Sequence, residues 1–165
     1  MTADPGTSLT GRSGAKAIVI GTAVAGTLDI LAAIVVTLAF GRQVDRMLRY
    51  VASGPFPSAV EWGAGGAALG LLVHYSLMAI MVAVYVALAR RTPRLRETPL
   101  LWGAAYGVVS YVVMNLIVVP LRFGAGLPPS LVGFVTQFSF HILLVGIPIA
   151  LVAARYLPSG EPARA

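Results

Sequence analysis

The stretch AGGAALGLLVHYSLMAIMVAVYVALA, residues 64–89, contains no Lys, Arg, Asp or Glu. A helix needs about 20 apolar residues to cross the hydrocarbon core of a bilayer, and this stretch exceeds that length. Further apolar runs of similar length occupy residues 17–40, 100–121 and 131–154. The sequence therefore predicts an all-α fold, a four-helix transmembrane bundle.

The composition supports a membrane protein of one domain. Of the 165 residues, 58% are hydrophobic and 11% are charged, whereas a soluble domain carries about a quarter charged residues. So little charge cannot cover a water-facing surface. The chain has no cysteine, which excludes disulfides, thiolate metal ligands and thiol redox chemistry.

The predicted domain spans residues 16–156. Residues 1–15 are small, polar and rich in Gly and Pro, which predicts a disordered N-terminal tail, and residues 157–165 form a C-terminal tail. The first apolar run is longer than the apolar core of a signal peptide, about 7–15 residues. It is therefore interpreted as a retained first helix.

The connection after the first span contains a second kind of helix. Apolar residues recur at helical spacing within residues 42–53, at Val44, Met47, Leu48 and Val51, with charged residues between them. This pattern predicts a short amphipathic helix that lies in the membrane interface rather than crossing the bilayer.

The distribution of Lys and Arg predicts the orientation. If both termini are cytoplasmic, that side holds eight Lys and Arg residues, against four on the other side (Arg42, Arg46, Arg49 and Arg122). Four arginines crowd the second connection: Arg90, Arg91, Arg94 and Arg96. Each is expected to attract anionic lipid headgroups with about 1 kcal/mol. No aromatic-interleaved basic surface is present, so nucleic acid is not an expected partner.

Polar residues lie near the middle of each apolar run, where hydrocarbon makes them costly. The candidate site contains Asp29, His74, Tyr111, Asn115, Gln137 and His141. Several share a helical stripe with small residues, such as Gly66, Gly70 and His74, or Gly103, Gly107, Tyr111 and Asn115. Small residues permit close helix approach in membranes, so these stripes are expected to face one another. At a rise of about 1.5 Å per residue, the polar groups fall into one layer.

A set of landmarks from the second span onward resembles the YagU-like family of small bacterial inner-membrane proteins. The landmarks are His74, Tyr85, Pro93, the pair Leu101–Trp102, the pair Pro120–Leu121, and Gln137 four residues before His141. The resemblance covers about residues 70–150. Asn115 and Gln137 stand where the family can have His and Glu, so the chain departs from the more ionisable pattern. The resemblance implies a multi-pass protein of the bacterial cytoplasmic membrane, and it implies no established chemistry.

Several kinds of chemistry are open for the polar layer. Asp29, His74 and His141 could ligate a metal ion, since imidazole and carboxylate suit zinc or iron. The two histidines could hold a haem between helices. The same three residues could relay protons, as intramembrane carboxylates and imidazoles do in transporters. The alternative is a set of interhelical hydrogen bonds, each worth about 0.6 kcal/mol. No cofactor is predicted on this evidence.

At the outer ends of the second and third helices, Glu61 and Arg122 are expected to pair across the mouth of the bundle, or Arg122 to reach lipid phosphate. No sequence motif for a catalytic nucleophile is present. The leading expectation is a small membrane protein in an accessory, structural or small-solute role, with a membrane-protein partner or a second copy of itself. The alternative is a proton- or metal-linked transporter or channel.

Overall fold

The computed structural model describes residues 5–124 and 130–158, and within these ranges the regular structure is helical, without strands. Four helices are long and apolar enough to cross a membrane: span 1 (Arg12–Ala39), span 2 (Gly63–Arg91), span 3 (Pro99–Phe123) and span 4 (Leu131–Tyr156). The predicted all-α bundle of four spans is confirmed. The chain is a membrane protein.

The spans consist of the following elements. Span 1 belongs to α1 (Pro5–Ala39), and it is followed by α2 (Val44–Ala52) and a 3-10 helix (Pro57–Glu61). Span 2 is α3 (Gly63–Arg91), and α4 (Arg94–Glu97) follows it. Span 3 contains α5 (Pro99–Tyr111), a π-helical segment (Val112–Val118) and α6 (Val119–Phe123). Span 4 contains α7 (Leu131–Phe140), a second π-helical segment (His141–Gly146) and α8 (Ile147–Tyr156).

The N-terminal boundary differs from the prediction. The helix α1 begins at Pro5, within residues 1–15, for which the sequence predicts a disordered tail. A helix that packing has already nucleated extends at little cost per residue, and proline suits the first helical position. Residues 1–4 lie outside the described ranges, as do residues 159–165 of the C-terminal tail and residues 125–129 of the third connection.

Span 1 lies at the centre of the packing, since it contacts both span 2 and span 4. The core at this junction contains Ala17, Ala25, Val82, Val145 and Ile149, all nearly inaccessible to solvent. Span 3 packs on span 4, but the backbones of spans 2 and 3 do not approach closely within the described residues. The bundle is therefore closed on three sides, and its fourth side separates spans 2 and 3.

Glycines determine where spans 3 and 4 cross. A Cβ atom on Gly146 would collide with the carbonyl oxygen of Gly103, and one on Gly107 would collide with the carbonyl oxygen of His141. The two backbones are therefore in direct contact, as the small-residue stripe of span 3 predicts.

The stripe of span 2 has a different neighbour from the one expected. A Cβ atom on Gly70 would collide with the Leu48 carbonyl of α2, and one on Gly66 would collide with the Ala59 carbonyl. The glycine face of span 2 thus receives α2 and the 3-10 helix instead of another span. Val51 of α2 reaches far enough to line a cavity with His74, so α2 packs into the bundle instead of resting on it.

Each π-helical segment precedes a proline by two residues, Pro120 in span 3 and Pro148 in span 4. A proline has no N–H to donate, and its ring clashes with the carbonyl four residues earlier. Those carbonyls belong to Leu116 and Leu144, which lie inside the two π-helical segments. The prolines thus provide a local physical reason for the wider turns.

The glycine crossing predicts a large difference between two alanine substitutions. Gly146→Ala should lower the stability of the bundle by at least the about 1–3 kcal/mol typical of overpacking, because its new methyl group meets backbone. Gly65→Ala is the matched control, since no atom of the described residues lies within 4 Å of its added Cβ. Reversible unfolding in mixed micelles, followed by circular dichroism, measures the difference. Equal stabilities for the two variants would contradict the crossing.

Candidate intramembrane polar site

One cavity of about 190 Å³ brings together a polar side chain from every span. Asp29 comes from span 1, His74 from span 2, Asn115 from span 3 and His141 from span 4. The rest of the lining is apolar and includes Met78, Met81, Met114 and Val51. The cavity is thus small, and its four polar side chains lie among apolar residues.

His74 connects spans 1 and 2. Its Nε2 atom lies 2.9 Å from the Gly26 carbonyl oxygen, and a carbonyl oxygen only accepts hydrogen bonds. The Nε2 atom must therefore carry a proton. The other ring nitrogen, Nδ1, lies 4.0 Å from Oδ2 of Asp29. The side chains of His74 and Asp29 are 12% and 22% exposed, so this pair is partly shielded from its surroundings.

His141 is held in the opposite tautomer. Its Nδ1 atom lies 2.8 Å from the Gln137 carbonyl oxygen, so Nδ1 carries the proton. Its Nε2 atom lies 3.5 Å from Nδ2 of Asn115. The amide of Asn115 donates this long hydrogen bond, because a neutral imidazole has only one N–H group. Spans 3 and 4 are joined here by side chains as well as by their glycines.

Two of the predicted site residues contribute differently from the other four. Gln137 supplies its main-chain carbonyl to His141, and its side chain does not line the cavity. Tyr111 is 1% exposed and stands edge-on to the His141 ring with 5.6 Å between centroids. Its hydroxyl has no hydrogen-bond partner among the described residues. The Tyr111 ring therefore packs against the His141 ring.

The hydrogen bonds determine which groups in the cavity can accept a hydrogen bond and which can donate one. Because each histidine donates its single neutral N–H to a backbone carbonyl, its second nitrogen is an acceptor. In His141 this nitrogen accepts from Asn115, whereas in His74 it lies towards Asp29. Asp29 adds carboxylate oxygens, and Asn115 adds an amide that can donate. The site is therefore rich in acceptors, and it favours ligands that donate hydrogen bonds or carry positive charge.

Asp29, His74 and His141, the proposed metal ligands, line the same cavity. Among residues 5–124 and 130–158, however, no three His, Cys, Asp or Glu side chains are grouped so as to hold a metal ion. The haem hypothesis stays a prediction from the two histidines.

The predicted pair of Glu61 and Arg122 is wrong. Arg122 donates to the carbonyl oxygens of Ser53 and Gly54, at 2.8 Å for Ser53, and no ion pair joins it to Glu61 in the described part of the chain. The carbonyls at the C-terminus of a helix carry partial negative charge. Arg122 therefore binds the end of α2 and attaches α2 to the end of span 3.

Sequence reasoning missed some residues around the site. The hydroxyls of Thr27 and Tyr75 lie 2.9 Å apart and join spans 1 and 2 two residues before Asp29 in span 1. Val51 was assigned to an interfacial helix, so no pattern placed it in a cavity. The prolines at 120 and 148 were the available signal for the π-helical segments that carry Asn115 and His141.

No family model, curated protein or solved structure matches the chain. The resemblance to the YagU-like family thus stays a prediction from the landmark residues.

The two carbonyl hydrogen bonds predict different tautomers for the two histidines. In the neutral state, His74 should be protonated at Nε2 and His141 at Nδ1, because a carbonyl partner accepts from each of these atoms. Nitrogen and carbon chemical shifts from solid-state NMR in lipid bilayers distinguish the tautomers. The variants His74→Gln and His141→Gln assign the two signals. Finding one tautomer for both rings would contradict the geometry.

Proposed function

We propose that this chain binds a small solute at an intramembrane site whose occupancy is linked to a proton held by Asp29 and His74. The observation that carries the proposal is the arrangement of this pair at one cavity. The Nε2 proton of His74 is committed to the Gly26 carbonyl, so the pair exchanges its proton at Nδ1 or at the Asp29 carboxyl. A donor group beside the pair could contact both atoms, because they lie 4.0 Å apart.

Proton linkage follows from the position of Asp29. It is the only carboxylate in the sequence of the four spans, and an ionised carboxylate in hydrocarbon is costly unless it is paired. Asp29 therefore requires a proton, a protonated His74 or a cationic ligand. A solute that satisfies Asp29 displaces the proton, and this competition links solute binding to pH.

The location of the protein belongs to the same proposal. The excess of Lys and Arg on one side of the spans supports cytoplasmic termini, and the resemblance to the YagU-like family supports a bacterial cytoplasmic membrane. Arg90, Arg91 and Arg94 are exposed at the end of span 2 and beyond it, which supports contact with anionic headgroups. Arg96 instead donates to the Pro158 carbonyl. A second copy of the chain or another membrane protein could cover the apolar outer faces.

Proton titration of the site tests this proposal with the proton itself as the probe. Infrared difference spectra of the protein in lipid vesicles, recorded as a function of pH, should show a titrating carboxyl signal that belongs to Asp29 and is distinct from those of the carboxyl groups outside the spans. This signal should be lost in Asp29→Asn, because no other span residue has a carboxyl group. It should shift in His74→Gln, which removes the neighbouring imidazole.

Ser76→Ala is the matched control for this measurement. Ser76 lies on the exposed face of span 2, two residues from His74, and donates to the Leu72 carbonyl within its own helix. Its variant should titrate like the wild type. A wild-type spectrum without a titrating span carboxyl would instead favour a purely structural layer, with hydrogen bonds that only join helices.

A further inference from the structure

Where spans 2 and 3 separate, two apolar cavities lie next to the polar cavity. One of these has a volume of about 260 Å³ and the other about 380 Å³. Leu77 of span 2 and Met114 of span 3 line both apolar cavities and the polar one. We name the three neighbouring cavities together the lateral crevice, and Leu77 and Met114 are the side chains that border all three.

Both ends of the lateral crevice are closed by specific contacts. Towards the basic second connection, Tyr106 of span 3 donates to the Met81 carbonyl of span 2 at 2.7 Å. Tyr106 also packs edge-on against Tyr85, with ring centroids 5.0 Å apart. At the other end, Tyr50 of α2 stacks on Phe123, with centroids 4.4 Å apart. Between these contacts, spans 2 and 3 do not pack closely.

The outer margin of the lateral crevice is apolar and exposed. Ile80 and Val113, on opposite walls, are 60% and 42% exposed, and Leu77 is 37% exposed. In a bilayer these side chains meet acyl chains, so the open side faces lipid. A ligand would reach the site sideways from the membrane, because α2 and Arg122 cover the end nearest water.

We propose that the lateral crevice binds a lipophilic amine, with the apolar part between Leu77 and Met114 and the nitrogen at Asp29. The proposal rests on the proton-linked site of the preceding section and names its class of ligand. Charge complementarity carries it, since Asp29 is the single carboxylate of the spans. The bare Nδ1 atom of His74 adds an acceptor for an ammonium group, whereas an anionic head would face the Asp29 carboxylate.

Binding includes one proton transfer. The amine enters from lipid in its neutral form, R–NH₂, and meets Asp29 in its protonated form. The O–H bond of Asp29 breaks and an N–H bond forms, which gives R–NH₃⁺ paired with the Asp29 carboxylate. No electron is transferred and no further reactant is needed. The site thus exchanges a neutral pair for an ion pair without a net change in charge.

The walls of the crevice suit ligands of variable shape. Met78, Met81 and Met114 contribute flexible, polarizable side chains beside the polar group. The titratable and charged groups lining the three cavities are Asp29, Tyr50, His74, Tyr106, Arg122 and His141. Of these, Arg122 lines only the cavity beneath α2, at the water-facing end. It would disfavour a cation there, which supports entry from the side where Ile80 and Val113 are exposed.

Three probes with the same apolar tail test the proposal: dodecylamine, dodecanol and dodecanoate. In nanodiscs of zwitterionic lipid, dodecylamine should raise the Tm of the wild type in a concentration-dependent way, and the other two should not. It should also remove the infrared band of protonated Asp29, because the amine takes that proton. Ser76→Ala should respond to dodecylamine like the wild type.

Two variants test separately the binding of the amine group and the binding of the apolar chain. Asp29→Asn should lose the Tm response because it lacks the counter-charge. Met114→Trp should lose the response by filling the region where Met114 borders all three cavities, while its Asp29 carboxyl still titrates. Leu77→Phe fills the opposite wall and replaces Met114→Trp if that variant does not fold.

Each outcome decides between the two proposals. Equal Tm responses to the three probes, or a response that survives in Asp29→Asn, would overturn the amine site. The absence of any response to dodecylamine, with Asp29 still titrating, would overturn the amine site and leave the proton-linked site standing. A wild-type protein without a titrating Asp29 would overturn the proton-linked site itself.

Discussion

Hydrocarbon offers no water to an unpaired N–H group or to an ionised carboxyl group, so each polar atom within the spans needs a partner from the protein. His74 meets this constraint by donating to the Gly26 carbonyl of span 1. The same bond fixes its tautomer, turns its second nitrogen towards Asp29, and brings spans 1 and 2 together. Gly26 permits the approach, since a Cβ there would lie 2.8 Å from the Tyr75 ring.

The geometry of spans 3 and 4 depends on glycine and proline acting together. Gly107 lies directly against the backbone of His141, so any side chain at residue 107 would displace the residue that faces Asn115. Pro120 and Pro148 follow the π-helical segments that contain Asn115 and His141. Close packing and widened turns thus act on the same pair of side chains. A hydrogen bond of 3.5 Å between them is consistent with a site that can also accept a ligand.

The fold could be predicted because its signals are long and unambiguous. Four apolar runs specify four spans whatever their mutual packing, and the polar residues in those runs mark the site. The helix that packs on each stripe of small residues could not be predicted. The spacing of Gly66 and Gly70 indicates that another helix approaches closely, but it does not identify that helix. Charge alone predicts that Arg122 pairs with Glu61 or reaches lipid phosphate, whereas backbone carbonyls at the end of α2 provide its actual partners. Sequence patterns do not show where a main-chain carbonyl oxygen lies in the folded protein. For this reason they could not predict the tautomers of the two histidines, which such oxygens determine.

The lateral crevice is a consequence of how the small residues are distributed. The glycine face of span 2 receives α2, and the glycine face of span 3 receives span 4. Larger side chains such as Leu77 and Met114 line the space between spans 2 and 3. The bundle therefore closes around Asp29 on three sides and stays open to lipid on the fourth. A layer that only joined helices would gain nothing from this opening, because a wall of close-packed spans would shield the same hydrogen bonds better. An opening of this kind instead gives an apolar molecule access to the one carboxylate of the spans.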